Sequence, residues 1–298
     1  MPSDHPKPPF PSQKQPMPGS TEKMDPRPDH GEESYKGSGR LKGLKAIITG
    51  GDSGIGRAVA IAYAREGADV LIAYLCENDD AQEVKALVEK EGRKAILVAG
   101  DVRDPAHCRA IVKRAVEELG GVDILVNNSG GPTPGTTEDM SEEKLAAYFN
   151  SMVLRIIALT NRLLPGMKER GWGRILTVAS SGVIEPIPGL ALSNTLRPAL
   201  AGWSKTLAGE VAQYGITSNL LLPGSIMTDR LKSLDTAAAE RSGRSVEDVR
   251  AASEQAIPAR RYGTVEEFAA TAAFLCSTPA SYVTGSLVRC DGGAAHSV

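Results

Sequence analysis

The chain has 298 residues, 41% of them hydrophobic, which suffices for one large core or two modest ones and excludes disorder throughout. With 34 Lys and Arg against 36 Asp and Glu its net charge is -2, so no global positive field exists to hold nucleic acid or an anionic membrane. No apolar run approaches the roughly 18 residues of a bilayer span, and the N-terminus is polar where a secretory signal would be apolar, so the expected compartment is the cytoplasm.

Residues 1–38 hold nine of the nineteen prolines and too few apolar side chains to form a core. They read as an arm, either a disordered tail or an extended segment lying along a neighbouring subunit with Phe10, Met17 and Tyr35 as anchors. A single domain over residues 40–298 follows. Residues 45–50 read as a short buried strand ending in glycines, and residues 55–66 as a helix stopped by Gly67. Residues 69–75 form a second strand, 81–91 a second helix closed by Gly92, and 95–99 a third strand. Asp104 and Pro105 supply an N-cap and a first-turn proline for a helix to Leu119. Further strands fall at 122–126, 174–178, 217–222 and 286–290. Helices are expected at about 141–169, 198–213 and 265–277, the last opened by the Thr264-x-x-Glu267 capping box. Seven apolar strands alternating with helices imply an α/β fold, a doubly wound parallel sheet covered on both faces.

Thr49-Gly50-Gly51-Asp52-Ser53-Gly54-Ile55-Gly56 joins the first strand to the first helix. Glycines at 50, 54 and 56 allow a tight turn, close backbone approach to a pyrophosphate and close packing of helix on strand, and the helix N-terminus offers free N–H groups to an anion. The expected ligand is a dinucleotide. Metal chemistry is not expected: Cys76, Cys108, Cys276 and Cys290 are scattered without a CxxC pair, and the four histidines lie near the chain ends or at a helix start.

Here the chain resembles the short-chain dehydrogenases/reductases, across about residues 40–293. Thr49-Gly50-x-x-x-Gly54-x-Gly56 is similar to that family's cofactor loop, and Asp101-Val102 to its adenine contact. Asn127-Asn128-Ser129-Gly130 resembles its turn after the fourth strand. Pro223-Gly224-x-Ile226-x-Thr228 resembles the segment that holds the nicotinamide carboxamide, and Asp291-Gly292-Gly293 the end of the last strand. Residues 1–120 look most like long-armed bacterial aldehyde and glucose dehydrogenase-like members, and the remainder like 3-oxoacyl-(acyl-carrier-protein) reductase-like members. The resemblance implies a Rossmann-like fold, a nicotinamide cofactor bound by Gly50, Ser53, Gly54, Ile55, Gly56, Tyr74, Asp101, Val102, Asn128, Gly130, Arg197, Pro223, Gly224, Ile226 and Thr228, a small carbonyl or alcohol substrate, and a homotetramer or homodimer. A carboxylate ending the second strand would grip the ribose 2'-hydroxyl of NAD and repel the 2'-phosphate of NADP. Tyr74 stands there instead, while Leu75 and Ser53 replace the basic residues usual in NADP-preferring members, leaving Arg57 and Asn78 as candidates. The cofactor expected is NADP or NAD, with a slight preference for NADP.

The family pairs a catalytic tyrosine with a lysine four residues later, beside a serine. Ser180 matches the serine, but Ser193 and Arg197 occupy the other two positions. The supporting asparagine is also displaced, since its slot falls at Met152 and Asn150 lies about 200° away around a 3.6-residue helix. Pro198 is harmless only at the first turn of a helix, so the helix is expected to begin near residue 197 with 193–196 as a loop. Catalytic candidates are therefore Ser180, Ser193 and Arg197. Three functions are compatible with them: an NAD(P)-dependent oxidoreductase with a degenerate site, a dinucleotide-binding sensor or subunit without reductase activity, and an enzyme using Arg197 on an anionic substrate. Residues 231–262, charged and alanine-rich, carry no recognisable pocket pattern.

Overall fold

The computed structural model describes residues 30, 32, 35–128 and 130–297. The arm anchors Phe10 and Met17, and Ser129, lie outside them. Seven strands form one sheet, all parallel, in the order β3-β2-β1-β4-β5-β6-β7. They are β1 (Lys45–Thr49), β2 (Asp69–Tyr74), β3 (Ala95–Ala99), β4 (Ile124–Asn127), β5 (Gly173–Val178), β6 (Ile216–Pro223) and β7 (Leu287–Cys290). The order reverses between β1 and β4, and at such a switch point the strand ends leave a crevice for a ligand.

Alternation within each strand builds two cores. Ile48, Ile72, Val126 and Leu176 face a layer containing Ala58, Ala62 and Tyr63 of α1 (Gly54–Arg65), Val84 and Val88 of α2 (Asn78–Lys90), and Phe268 and Ala272 of α9 (Val265–Leu275). Their neighbours Ile47, Leu71, Leu125 and Ile175 face α3 (Pro105–Leu119), α5 (Arg155–Arg170) and α6 (Ala191–Val211). Both faces of the central strands are thus apolar, which is why they read as continuous hydrophobic runs.

The expected caps form: Asp104 accepts from the Ala106 N–H, and Thr264 and Glu267 close their box reciprocally. The helix expected over 141–169 is α4 (Glu142–Phe149) continued through a π turn, Asn150–Leu154, into α5.

One expectation needs correction: α6 begins at Ala191, with Pro198 inside it, and not near residue 197. Pro198 is exposed, on the solvent side of the helix. The first turn is held by Asn194, whose Oδ1 accepts from the Ile187 N–H (3.1 Å) and whose Nδ2 donates to the Ile187 carbonyl (2.8 Å). The region 231–262, for which no elements were expected, contains α7 (Asp229–Ser242) and α8 (Val246–Ala256), capped by Thr228 and Ser245. Each buries only one or two side chains, so no apolar stripe announces them in the sequence.

The last part of the arm docks on its own domain. Glu66, at the end of α1, accepts from the Tyr35 hydroxyl (2.8 Å) and from the N–H groups of Ser38 (2.9 Å) and Arg40 (2.8 Å). Burial opposes ionisation of this carboxyl, but the donors prevail and hold it below its ordinary value. Tyr35 is therefore an anchor within the chain.

Candidate active site

The turn after β1 is stitched to the end of β4. The Thr49 hydroxyl donates to the Asn128 carbonyl (2.9 Å) and accepts from the Asn128 N–H (2.9 Å), while Asn128 Nδ2 donates to the carbonyls of Thr49 (3.1 Å) and Gly50 (3.0 Å). Gly50 and Gly54 adopt φ of 61° and 51°, which a side chain would strain. A Cβ on Gly56 would lie 1.8 Å from the Gly50 carbonyl oxygen, so only glycine lets the helix come this close. Ser53 precedes α1 without capping it through its side chain, whereas Asp104, Ser141, Thr228, Ser245 and Thr264 cap theirs. A glycine cradle ending in helical N–H groups left uncapped fits the pyrophosphate of a dinucleotide.

At one end of this cradle Tyr74 is buried, its hydroxyl donating to Asn78 Oδ1 (2.8 Å). The Gly100 N–H donates to the Tyr74 carbonyl (2.8 Å), which brings residues 101 and 102 beside it. The Asp101 carboxylate is held by Arg103 (2.5 Å), and Val102 packs against the second core. Arg57, offered by the sequence as a candidate for the 2'-phosphate, is fully buried and bound to Glu32 (2.6 Å) and Glu83 (2.5 Å).

Asp52 is buried in the same loop, and burial, reinforced by the charge of Glu77, pushes its carboxyl up to about 6. The native state thus favours the protonated form, and the associated stability is present at low pH and lost as pH rises from about 4 through about 6. Asp52→Asn should consequently stabilise the protein above pH 7 by about 2 to 3 kcal/mol and have little effect at pH 4. Urea unfolding of both forms across that range checks this; an equal difference at both ends would reject it.

At the other end, residues 223–228 are pinned. Gly224 passes so near β7 that a Cβ would sit 2.6 Å from the Asp291 Cα. Buried Ile226 bridges to Gly263, and Thr228 both caps α7 and places its methyl 3.5 Å from the Cβ position of Gly54. The expected cofactor residues from the glycine loop, the β4 turn and the segment after β6 are therefore brought together.

The remaining corner lies at the end of β5. Ser180 caps a short turn, its Oγ accepting from the Gly182 N–H (3.1 Å), and a Cβ on Gly182 would meet both Ser180 Oγ (3.3 Å) and Asn194 Oδ1 (2.7 Å). The serine thus stands against the first turn of α6. Ser193 and Arg197, one turn apart on that helix, are both buried, and Arg197 Nη1 donates to the Val178 carbonyl (3.0 Å). Met152 is buried in the π turn, while Asn150 accepts from Arg155 Nε (2.7 Å).

Two residues the sequence reading missed enter this corner. Arg230, in the first turn of α7, donates to the Pro132 carbonyl and approaches Gly131 beside Arg197. The hydroxyl of Tyr148, on α4, accepts from the N–H of Thr133 (3.4 Å), the residue after the Pro132 that Arg230 holds. Arg230 stands only two residues beyond the recognised Thr228, but nothing in its spacing marks it. Burial, with the charge of Arg230, pushes Arg197 down to about 10. Among the described residues no helix is long and apolar enough to cross a membrane.

A family model described as enoyl-(acyl carrier protein) reductase matches residues 50–295. Uncharacterized oxidoreductase YghA of Escherichia coli is 40% identical over 286 residues, covering 95% of this chain and 94% of that protein. General stress protein 39 of Bacillus subtilis is 36% identical, with 93% of each chain covered. Among solved structures, L-sorbose reductase from Gluconobacter frateurii, complexed with NADPH and L-sorbose, aligns with a TM-score of 0.81 at 33% identity, over 87% of this chain and 98% of that one. With its parallel seven-stranded sheet, its glycine cradle at the switch point and these matches along nearly its whole length, the chain belongs to the short-chain dehydrogenase/reductase family.

Proposed function

We propose that the protein is an NADP(H)-dependent oxidoreductase of the cytoplasm that interconverts a carbonyl and a secondary alcohol. The observation that carries this reading is the position of the Ser180–Arg197 corner on the same sheet edge as the glycine cradle and Thr228. A nicotinamide held here would supply the hydride. The N–H groups at the start of α1 bind the pyrophosphate, Tyr74, Asp101 and Val102 flank the adenosine, and residues 223–228 orient the carboxamide. Ser180 donates to the substrate oxygen, and the fixed charge of Arg197 stabilises negative charge as it develops there. Arg197 holds its proton throughout, so the proton comes from Ser193 or a water at Ser180, both weaker acids than a phenol. A homodimer or homotetramer is the proposed assembly, supported by exposed Phe149 and Leu154 at the junction of α4 and α5.

The second reading, a dinucleotide-binding protein without reductase activity, is favoured by the serine and arginine at 193 and 197. NADPH and NADH oxidation with aldehydes, ketones and acetoacetyl thioesters separates the two. Turnover lost in Ser193→Ala supports the oxidoreductase; tight cofactor binding with no turnover supports the binding protein. Calorimetric titration should show NADP binding at least as well as NAD, with a preference below about tenfold, or 1.4 kcal/mol. The margin is small because Arg57 is already paired and Asp52 lies nearby. A clear advantage for NAD would reject the cofactor assignment.

A further inference from the structure

The buried arginines of this molecule are not alike. Arg57 is neutralised by two glutamates. Arg174 has no carboxylate, yet it donates to the carbonyls of Gly173 (2.8 Å), Gly215 (3.1 Å) and Ser277 (3.4 Å) and to the Ser281 hydroxyl (2.6 Å), with its plane 4.2 Å from the Trp172 ring centre. Buried Arg197 and its half-buried neighbour Arg230 lack both kinds of compensation. Among the described residues Arg197, only 8% exposed, bonds the Val178 carbonyl alone and Arg230 the Pro132 carbonyl alone. Neither is ion-paired with a described carboxylate.

A guanidinium carries five N–H donors in a fixed fork, so most of the donors on these two groups are left unused by the protein. The groups are also neighbours: a Cβ on Gly131 would lie 3.2 Å from Arg230 Nη2 and 3.6 Å from Arg197 Nη2. Two like charges brought together, one of them buried and the other half-buried, are unfavourable unless an anion joins them. Both keep their protons at neutral pH, since even the more deeply buried Arg197 titrates only near 10. Glycine at 131 keeps the space between them open.

We propose that Arg197 and Arg230 form a binding site for an oxyanion carried by the substrate, a carboxylate or a phosphate monoester, next to the Ser180 corner. This rests on the oxidoreductase reading for the word substrate, though the site itself does not depend on turnover. An arginine suits the role better than the lysine of the family pattern, because its planar fork meets two oxygens at once. The phosphates of the cofactor are the competing source of the anion, but the uncapped N-terminus of α1 already provides for the pyrophosphate.

Oxalate and inorganic phosphate should be titrated calorimetrically into full-length protein saturated with NADP+. At least one should bind saturably, one per chain, and Arg197→Gln and Arg230→Gln should each weaken it by about tenfold or more. Arg230→Gln should leave NADP+ affinity within about a factor of three. A comparable loss of NADP+ affinity would assign the arginine to the cofactor's phosphates and overturn the proposal, as would an absence of anion binding to the wild type. Should the glutamine variants fail to fold, Arg230→Lys serves, since it keeps the charge and loses the fork; unweakened binding there overturns the two-oxygen geometry. A second arm compares succinic semialdehyde with butanal as NADPH oxidants, where a preference for the charged aldehyde that collapses in Arg230→Gln supports the site. Anion binding without turnover of any carbonyl would leave the anion site standing and sink the reductase reading. Turnover of neutral carbonyls without anion binding would do the reverse.

Discussion

Gly56→Ala is expected to lower NADP+ affinity by at least about 100-fold, or 2.7 kcal/mol. Its Cβ would stand 1.8 Å from the Gly50 oxygen, 2.7 Å from the Gly50 carbonyl carbon and 2.8 Å from Asn128 Nδ2. These are backbone atoms and an amide already bonded to two carbonyls, so no flexible side chain can swing aside. The first turn of α1 must move away from the loop. That movement separates the helical N–H groups from the glycine cradle and disturbs the link between β1 and β4. Overpacking of this kind also costs about 1 to 3 kcal/mol of stability, so the variant should unfold at lower urea while keeping a cooperative transition. Calorimetric NADP+ titration and urea unfolding check both effects. Affinity within threefold of wild type would show that the pyrophosphate does not sit at this helix.

The opposite kind of change is expected from Ser193→Tyr combined with Arg197→Lys. Positions 193 and 197 lie one turn apart on α6 and both are buried, and Arg197 reaches the Val178 carbonyl at the end of β5. A phenol at 193 supplies an acid far stronger than a serine hydroxyl, and the ammonium at 197 lowers its pKa towards neutrality. General acid catalysis restored in this way is worth about 10² to 10⁴ in rate, read as steady-state NADPH oxidation with a carbonyl panel. Arg197→Lys alone should leave reduction slow, since no phenol is then present to be activated. If the single variant reaches the rate of the double, another group already delivers the proton, with Tyr148, bonded to the Thr133 N–H, as the place to look.

These expectations draw on different levels of information. The alternation of apolar strands with helices, the glycine cradle after β1, the cap at Asp104 and the box at Thr264 and Glu267 were all legible in the sequence, and the structure contains each of them. Their causes are local: side-chain periodicity, the φ angles open to glycine, and hydroxyl or carboxylate groups within a few residues of free N–H groups. The reading of Ser193 and Arg197 as standing at the family's tyrosine and lysine positions comes from the motif resemblance alone.

Where several conformations satisfied the local rules, tertiary contacts decided. Pro198 read as a helix start because a first-turn proline avoids any penalty, yet Asn194 clamping Ile187 starts α6 at Ala191 and leaves the proline on the exposed side. Arg57 read as a candidate for the 2'-phosphate, whereas the fold pairs it with Glu32 and Glu83 from other segments. The helices α7 and α8 were hidden because they bury too little to show a stripe. Most consequentially, Arg197 and Arg230 are far apart in the chain and meet only because α6 and the first turn of α7 converge over Gly131. Sequence determined which side chains this protein carries along each strand and helix; only the packing of the sheet's carboxyl edge decided which charges would be neutralised and which would be left facing one another, because pairing depends on distance through space.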